Sequence, residues 1–251
     1  MIINLFCDAS IDSQNTNIAC SGCVVVMQDD RNAINIINKR FAIKHNSTNN
    51  SAEILAILLG VSEALRIRNN LYPNAIFRLF SDSGISLFGL RDWMVNWIRN
   101  MGDDNILRTS QKDPVINQQT FINIYNLIVN YNLKIELYHQ KGHIAMTDKA
   151  LREARAYFIK QNKVTPDMLG LSIENIVSFN NMVDNDTRIV EKTYIESGMY
   201  DETTTTLIRE NHVNPITYIP KKEMLARYVQ NINKTSVLDK SRHNFNGGYN
   251  Q

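Results

Sequence analysis

The sequence predicts an α/β domain on a mixed sheet, in which an antiparallel three-strand meander is extended by parallel strands through helical crossovers. Three observations carry that expectation. Residues 2–8, 19–28 and 33–43 are rich in Ile, Val, Phe and Cys, and polar turn-forming stretches at 12–15 and 28–32 separate them, the pattern of consecutive strands. Ile54, Leu55, Leu58, Val61 and Leu65 then recur at three- and four-residue intervals, as on a helix packed against a sheet. From there short apolar runs alternate with helical stretches, as crossovers between parallel strands require.

Taken in order, a first helix is expected from Asn50, followed by a short buried strand at 76–80. A second helix carries the stripe Leu87, Leu90, Met94, Trp97 and Met101, and a third, over 117–131, uses Phe121, Ile124, Tyr125 and Ile128. A last strand lies at 135–138, and a helix over 148–161 packs through Leu151, Ala154 and Phe158. The order βββαβααβα gives five strands in one mixed sheet flanked by helices.

A compositional step falls near residue 163. Residues 1–163 hold 18 Lys+Arg and 14 Asp+Glu, a balance of +4, whereas residues 164–251 hold 9 and 11, a balance of −2. The second stretch reads as a mainly helical C-terminal extension, with helical spacing at 172–183, 186–197 and 221–232 and a flexible Asn- and Gly-rich tail from 241. Its competing roles are a structural or dimerisation appendage, a contact for a replication partner, or a source of grip on substrate through Lys221, Lys222 and Arg227.

Composition excludes several classes. The apolar runs are far shorter than the roughly 20 residues that span a bilayer, so no membrane association is expected. Met1-Ile2-Ile3-Asn4-Leu5-Phe6 has no basic leader and reads as a strand, which predicts a cytoplasmic location. Three cysteines cannot staple a 251-residue chain. Cys20-Ser21-Gly22-Cys23 has C-x-x-C spacing but no second ligand pair, so buried strand cysteines are the favoured reading over a metal or redox role. A formal net charge of +2 makes any nucleic-acid contact a local matter rather than a whole-protein field.

Four acidic residues fall at the ends of these elements: Asp8 after the first strand, Glu53 in the first turn of the first helix, Asp82 after the fourth strand and Asp148 at the start of the last helix. Each has an ordinary explanation. Asn50-Ser51-Ala52-Glu53 has the spacing of a capping box, Asp82 and Asp148 suit helix N-caps, and Asp8 suits an Asx turn. Together, four carboxylates converging at the carboxyl ends of neighbouring strands would repel unless cations lay among them. Oxygen-only ligands favour Mg²⁺ or Mn²⁺.

These residues resemble the type 1 ribonuclease H family. Asp8-Ala9-Ser10 is similar to its first aspartate motif, Thr48-Asn49-Asn50-Ser51-Ala52-Glu53 to its T-N-N-x-x-E segment, and Ser81-Asp82-Ser83 to its T/S-D-S. The segment from Trp93 to Trp97, followed by Lys112-Asp113-Pro114-Val115-Ile116-Asn117, resembles its tryptophan-bearing helix and K-P-V-x-N, and Lys141-Gly142-His143 matches K-G-H. The motifs occur in order over residues 1–163, which reads as the ribonuclease H domain. Three features depart from the family. It places about nine residues, with an asparagine and an A-D pair, between the K-G-H histidine and the last aspartate, whereas only Ile144 to Thr147 separate His143 from Asp148. Gly84 stands where the family often has glutamine. The basic handle is reduced to Arg99, Arg108 and Lys112, diluted by Asp103 and Asp104.

The resemblance implies a ribonuclease H-like fold and endonucleolytic hydrolysis of the RNA strand of RNA/DNA hybrids by two Mg²⁺ ions, with Mn²⁺ able to substitute. Asp8 would bridge the ions, Glu53, Asp82 and Asp148 would complete their shells, and His143 would assist proton transfer or product release, unless it is only an exposed loop residue. Thr48, Asn49 and Asn50 would contact the substrate together with Ser83 and Lys141; paired donors and acceptors suit a 2′-hydroxyl-lined groove, although Asn50 alone also suits an N-cap. Trp93 and Trp97 belong either to the core or to a face for the sugars of the DNA strand. Two readings of another class stand beside this one: a DNA-directed nuclease of the same fold, and a catalytically idle hybrid-binding module.

Overall fold

The computed structural model describes residues 1–12, 16–29, 33–197 and 224–232. Strands β1 (Ile2–Asp12), β2 (Ile18–Gln28) and β3 (Ile34–Lys44) form the antiparallel meander, and β4 (Ile76–Ser81) and β5 (Ile135–His139) extend it in parallel, in the order β3-β2-β1-β4-β5. The five-stranded mixed sheet is the one expected. Alternation along the strands divides the core into two layers. Ile3, Leu5, Cys7, Cys23 and Val25 face helices α1 (Asn49–Asn70) and α4 (Gln118–Asn130), while Phe6, Val24, Val26, Phe80 and Tyr138 face α5 (Asp148–Asn162) and α6 (Ile173–Ser197). The three cysteines are buried and free, as strand residues.

Helix boundaries follow hydrogen-bonding chemistry that hydrophobic spacing does not carry. The cap of α1 is Thr48, not Asn50: the Thr48 hydroxyl accepts from the Ser51 amide, and the Ser51 hydroxyl accepts from the Thr48 amide. That box closes without Glu53, whose carboxylate is left for other use. The predicted second helix is three pieces, α2 (Gly84–Phe88), a π turn (Gly89–Trp93) and α3 (Met94–Arg99). The wider turn keeps Leu90, Met94 and Trp97 all in the core. Ser83, not Asp82, holds the N-cap position of α2, and Thr147, not Asp148, caps α5 by accepting from the Ala150 amide. β1 also runs on past Asp8 to Asp12.

The compositional step at 163 is not a break in packing. Beyond α5 and a 3₁₀ turn (Pro166–Leu169), α6 is one continuous helix where the apolar spacing predicts two. Its Ile173, Ile176, Val177 and Val183 share one buried cluster with Phe6, Val24 and Phe80 of the sheet. The interruption in its pattern, around Asp184, is polar on the sheet side rather than helix-breaking. A short α7 (Leu225–Asn231) lies within the predicted 221–232, with Tyr228 buried against Tyr125 and its hydroxyl donating to the Leu90 carbonyl of the π turn. Lys221, Lys222 and the tail from 241 fall outside the described residues.

The seating of α6 depends on Gly22 of β2, since a Cβ there would lie 2.5 Å from Thr187 Cγ2. Thr187 is fully buried and its hydroxyl donates to the Asp184 carbonyl at 2.8 Å. Gly22→Ala should cost about 1–3 kcal/mol through overpacking. Adding Thr187→Ser, which removes the obstructing methyl but keeps the hydroxyl, should restore most of that loss. Urea melts of the two variants test this, and a Gly22→Ala midpoint equal to the parent's would show that α6 is not held this closely.

Candidate metal centre

β1 and β4 pair only as far as Phe6 and Phe80, after which the chains part. Asp8 and Asp82 each stand two residues beyond that last pair, at equivalent registers on either side of the opening. β1 turns toward β2 on one side and leads, through β3 and α1, to β4 on the other, so this is the switch point at which α/β sheets bind their ligands. Glu53 enters from the second turn of α1. One carboxylate oxygen from each of Asp8, Glu53 and Asp82 lies within 4.8 Å of the others.

The cluster lacks compensating donors. Asp8 Oδ1 accepts from the Ala9 amide at 2.8 Å, but Asp8 Oδ2 and Glu53 Oε2 are buried without a hydrogen-bond partner. Burial, then the charge of Asp82, pushes the Asp8 carboxyl up to about 8, against the pull of the Ala9 amide. Burial, then Asp8 and Asp82, pushes Glu53 up to about 9. Burial also raises Asp82, partly offset by His143 and by a hydrogen bond from Asn180. Orphaned, mutually repelling carboxylate oxygens are what a divalent cation with oxygen ligands would satisfy, so the residues present fit such an ion.

A further carboxylate, Asp184 of α6, lies near these three, outside the group whose oxygens are within 4.8 Å of one another. Its charge acts on Asp8, Glu53 and Asp82 alike. Arg188, one turn on, holds it through Nε at 2.9 Å, and His143 Nδ1 lies 3.5 Å from its other oxygen. Asp148 is instead exposed in the first turn of α5, outside the cluster. The structure does not bring Asp148, expected as the fourth ligand, into the group formed by Asp8, Glu53 and Asp82. α5 and the 3₁₀ turn lie between His143 and α6, which carries Asp184. A signal for Asp184 lay in the sequence, because Asn181-Met182-Val183-Asp184 has the asparagine and a V-D in place of the A-D that the shorter interval lacks.

The loop from Gln140 to Thr147 wraps the other side of Asp82. A Cβ on Gly142 would overlap Asp82 Oδ2, so only glycine permits this approach. His143, in the left-handed region at φ 52°, projects into solvent beside Asp184, and Asn181 donates to the Ile144 carbonyl at 2.8 Å. His139, unremarked in the sequence, bonds the Asp82 carbonyl through Nε2 at 3.1 Å and meets the Tyr157 hydroxyl through Nδ1 at 3.4 Å. Thr48, Asn49 and Asn50 are exposed in the turn preceding Glu53. Ser83 bonds Ser86, and Lys141 lies 3.8 Å from Glu153. Of the tryptophans, Trp97 is core, edge-on to Phe121, whereas Trp93 is 40% exposed. Arg108 is neutralised by Asp104, and Arg227 donates to the Val129 carbonyl.

The RNase H family model matches residues 2–155. No curated protein matches the chain by sequence. Among solved structures, a foamy viral protease-reverse transcriptase in complex with RNA/DNA hybrid is similar at 15% identity and a TM-score of 0.45, over 63% of this chain and 19% of that one. The PFV RNase H domain in solution is similar at 19% identity and a TM-score of 0.45, over 63% and 90%. LC11-RNase H1 in complex with RNA/DNA hybrid is similar at 14% identity and a TM-score of 0.41, over 66% and 94%. No helix among the described residues is long and apolar enough to cross a membrane.

Two outcomes follow from the geometry. Asp8 and Glu53 bind protons more tightly in the folded chain than at their ordinary values of 3.8 and 4.5. Metal-free protein should therefore lose stability as pH rises from about 4 through about 8 and 9. A divalent ion would replace those protons, so added Mg²⁺ or Mn²⁺ should raise the melting temperature more at pH 8 than at pH 6; thermal melts at the two pH values, with and without the ion, check it. Separately, Asp184→Asn should weaken that metal-dependent stabilisation markedly while Asp148→Asn leaves it intact, as Asn is an equally good neighbour for the Thr147 cap. The reverse ranking would restore Asp148 to the site.

Proposed function

Because the chain belongs to the ribonuclease H family, we propose that it cuts the RNA strand of RNA/DNA hybrids endonucleolytically, with Mg²⁺, or Mn²⁺ in its place, held by Asp8, Glu53, Asp82 and Asp184. The observation that carries this reading is the set of buried and half-buried acidic side chains at the β1/β4 opening, two of them with orphaned oxygens. A pair of divalent ions, when bound, supplies an activated water and charge neutralisation at the departing 3′-oxygen. Hydrolysis forms one bond from water oxygen to phosphorus and breaks the bond from phosphorus to O3′, which leaves protonated. No side chain needs to act as a nucleophile.

The remaining residues divide the work by position. Asn49 and Asn50, exposed beside Glu53, present amides that donate and accept at once, which suits 2′-hydroxyls and base edges of the hybrid minor groove. Thr48 is occupied as the cap of α1, so its contribution is to fix the two amides. Trp93 offers an exposed ring to the sugars of the DNA strand. His143, solvent-exposed at the rim and facing Asp184, is placed to pass a proton between the cleft and water. Sequence-independent cutting is expected, because sugars and phosphates carry no base code.

Incubation with RNA/DNA, RNA/RNA and DNA/DNA duplexes and a junction with one ribonucleotide, with and without Mg²⁺, tests the reading. Metal-dependent cutting confined to the RNA of the hybrid is expected. Asp8→Asn should abolish it while hybrid binding persists or tightens, since a negative charge is removed. Turnover by Asp8→Asn at the parent rate, or preferential cutting of DNA/DNA, would overturn the proposal.

A further inference from the structure

We propose that α5, which lies between the histidine loop and α6, is the surface by which this chain grips its nucleic-acid duplex; the proposal rests on the hybrid-cleaving reading of the adjacent site. Lys149, Arg152 and Lys160 are exposed and recur at intervals that place them, with Ala156 between, along one face of the helix, and Lys163, also exposed, follows as its left-handed C-cap. The opposite face, through Leu151, Ala154 and Phe158, is packed into the sheet. The pairing of charges along α5 leaves this face positive. Glu153 faces Lys141 at 3.8 Å, and Arg155 pairs with Asp167. None of the four stripe residues makes an ion pair among the described residues, whereas Arg40 and Arg66 share Glu63, Arg78 holds Glu136, and Arg108 holds Asp104.

Position joins the stripe to the cleft. Asn162, near the end of α5, accepts from the His139 amide at 2.9 Å and donates to its carbonyl at 2.7 Å, fastening the helix to the carboxyl end of β5. Tyr157, three residues before Lys160, reaches His139, which bonds the backbone of Asp82. The free cations therefore stand on an element anchored to the backbone of a cluster carboxylate. They also answer a deficit elsewhere, because the loop between α3 and α4 keeps Arg108 neutralised and Arg227 is engaged with α4. A polyanionic duplex is the occupant that spaced lysines and arginines without acidic partners fit, since affinity follows the number of phosphates neutralised.

The test is fluorescence anisotropy of a labelled RNA/DNA hybrid against the full chain carrying Asp8→Asn, across a salt series, with Lys149→Gln, Arg152→Gln, Lys160→Gln and Lys163→Gln added together. Affinity at about 0.1 M salt should fall by about tenfold or more, and the dependence of log K on log salt should become shallower by about two to four, at about 0.9 for each phosphate no longer neutralised. The charge-preserving set Lys149→Arg, Arg152→Lys, Lys160→Arg and Lys163→Arg should hold both. Unchanged affinity and slope in the Gln set overturn the proposal, as does an equal loss in the charge-preserving set. Binding is read without cleavage, so a parent chain that cuts no hybrid would sink the proposed activity while these titrations still decide the role of α5.

Discussion

Everything at the β1/β4 opening depends on repulsion between carboxylates that the fold has removed from water. An exposed acidic cluster relaxes by turning its side chains outward. Asp8 and Glu53 are 3% and 9% exposed and cannot do so. Their charge must be met by protons, by cations or by fixed donors, and the donors are few: one backbone amide on Asp8, Asn180 on Asp82 and the guanidinium of Arg188 behind Asp184. Such a site is destabilising on its own account, as functional sites commonly are. The cost is met by two apolar layers that pin the strands from both faces.

Close approach is the device that turns those layers into a site. Gly22 lets Thr187 rest directly on β2, which sets the height of Asp184 above the sheet. Gly60 does the same for α1 on the other face, where a Cβ would lie 2.6 Å from Cys7 Sγ, and so fixes the helix that carries Glu53. Gly142 brings the histidine loop against Asp82. Three elements distant in sequence are thereby held to within side-chain reach of one strand end. None of the three glycines needs a positive φ; each is required for space.

The sheet was legible in the sequence because strand patterning and crossover order are local properties. Five strands, and Asp8, Glu53 and Asp82 as a converging set, follow from apolar runs ending in acids. What was not legible came from two sources. Caps depend on hydroxyl geometry rather than on spacing, so Asn50 and Glu53 look like a capping box although Thr48 and Ser51 form it. Which later acid stands near the cluster depends on which helix returns across the sheet: Asp148 begins α5, packed along β5, whereas Asp184 lies on α6, packed across β1 and β2. Polar residues on the sheet side of α6 break its apolar periodicity for the reason that makes them useful: Asn180 and Asp184 act on Asp82 at the opening, and Thr187 seats the helix on Gly22.

The interposed helix changes how the charge of the molecule should be understood. A formal net charge of +2 gives little long-range attraction, and most arginines near the sheet are consumed by acids within hydrogen-bonding distance. Attraction for a polyanion must then be local, acting within roughly one Debye length of about 8–10 Å. A negative cluster beside the cleft makes the requirement sharper, since it repels the same phosphates until cations fill it. Separating the two functions, acids at the strand ends and free lysines and arginines on a helix tied to His139, keeps the positive residues from neutralising the carboxylates that a metal needs. Arg188 is the exception, and its position behind Asp184 holds that side chain in place while the orphaned oxygens of Asp8 and Glu53 remain open.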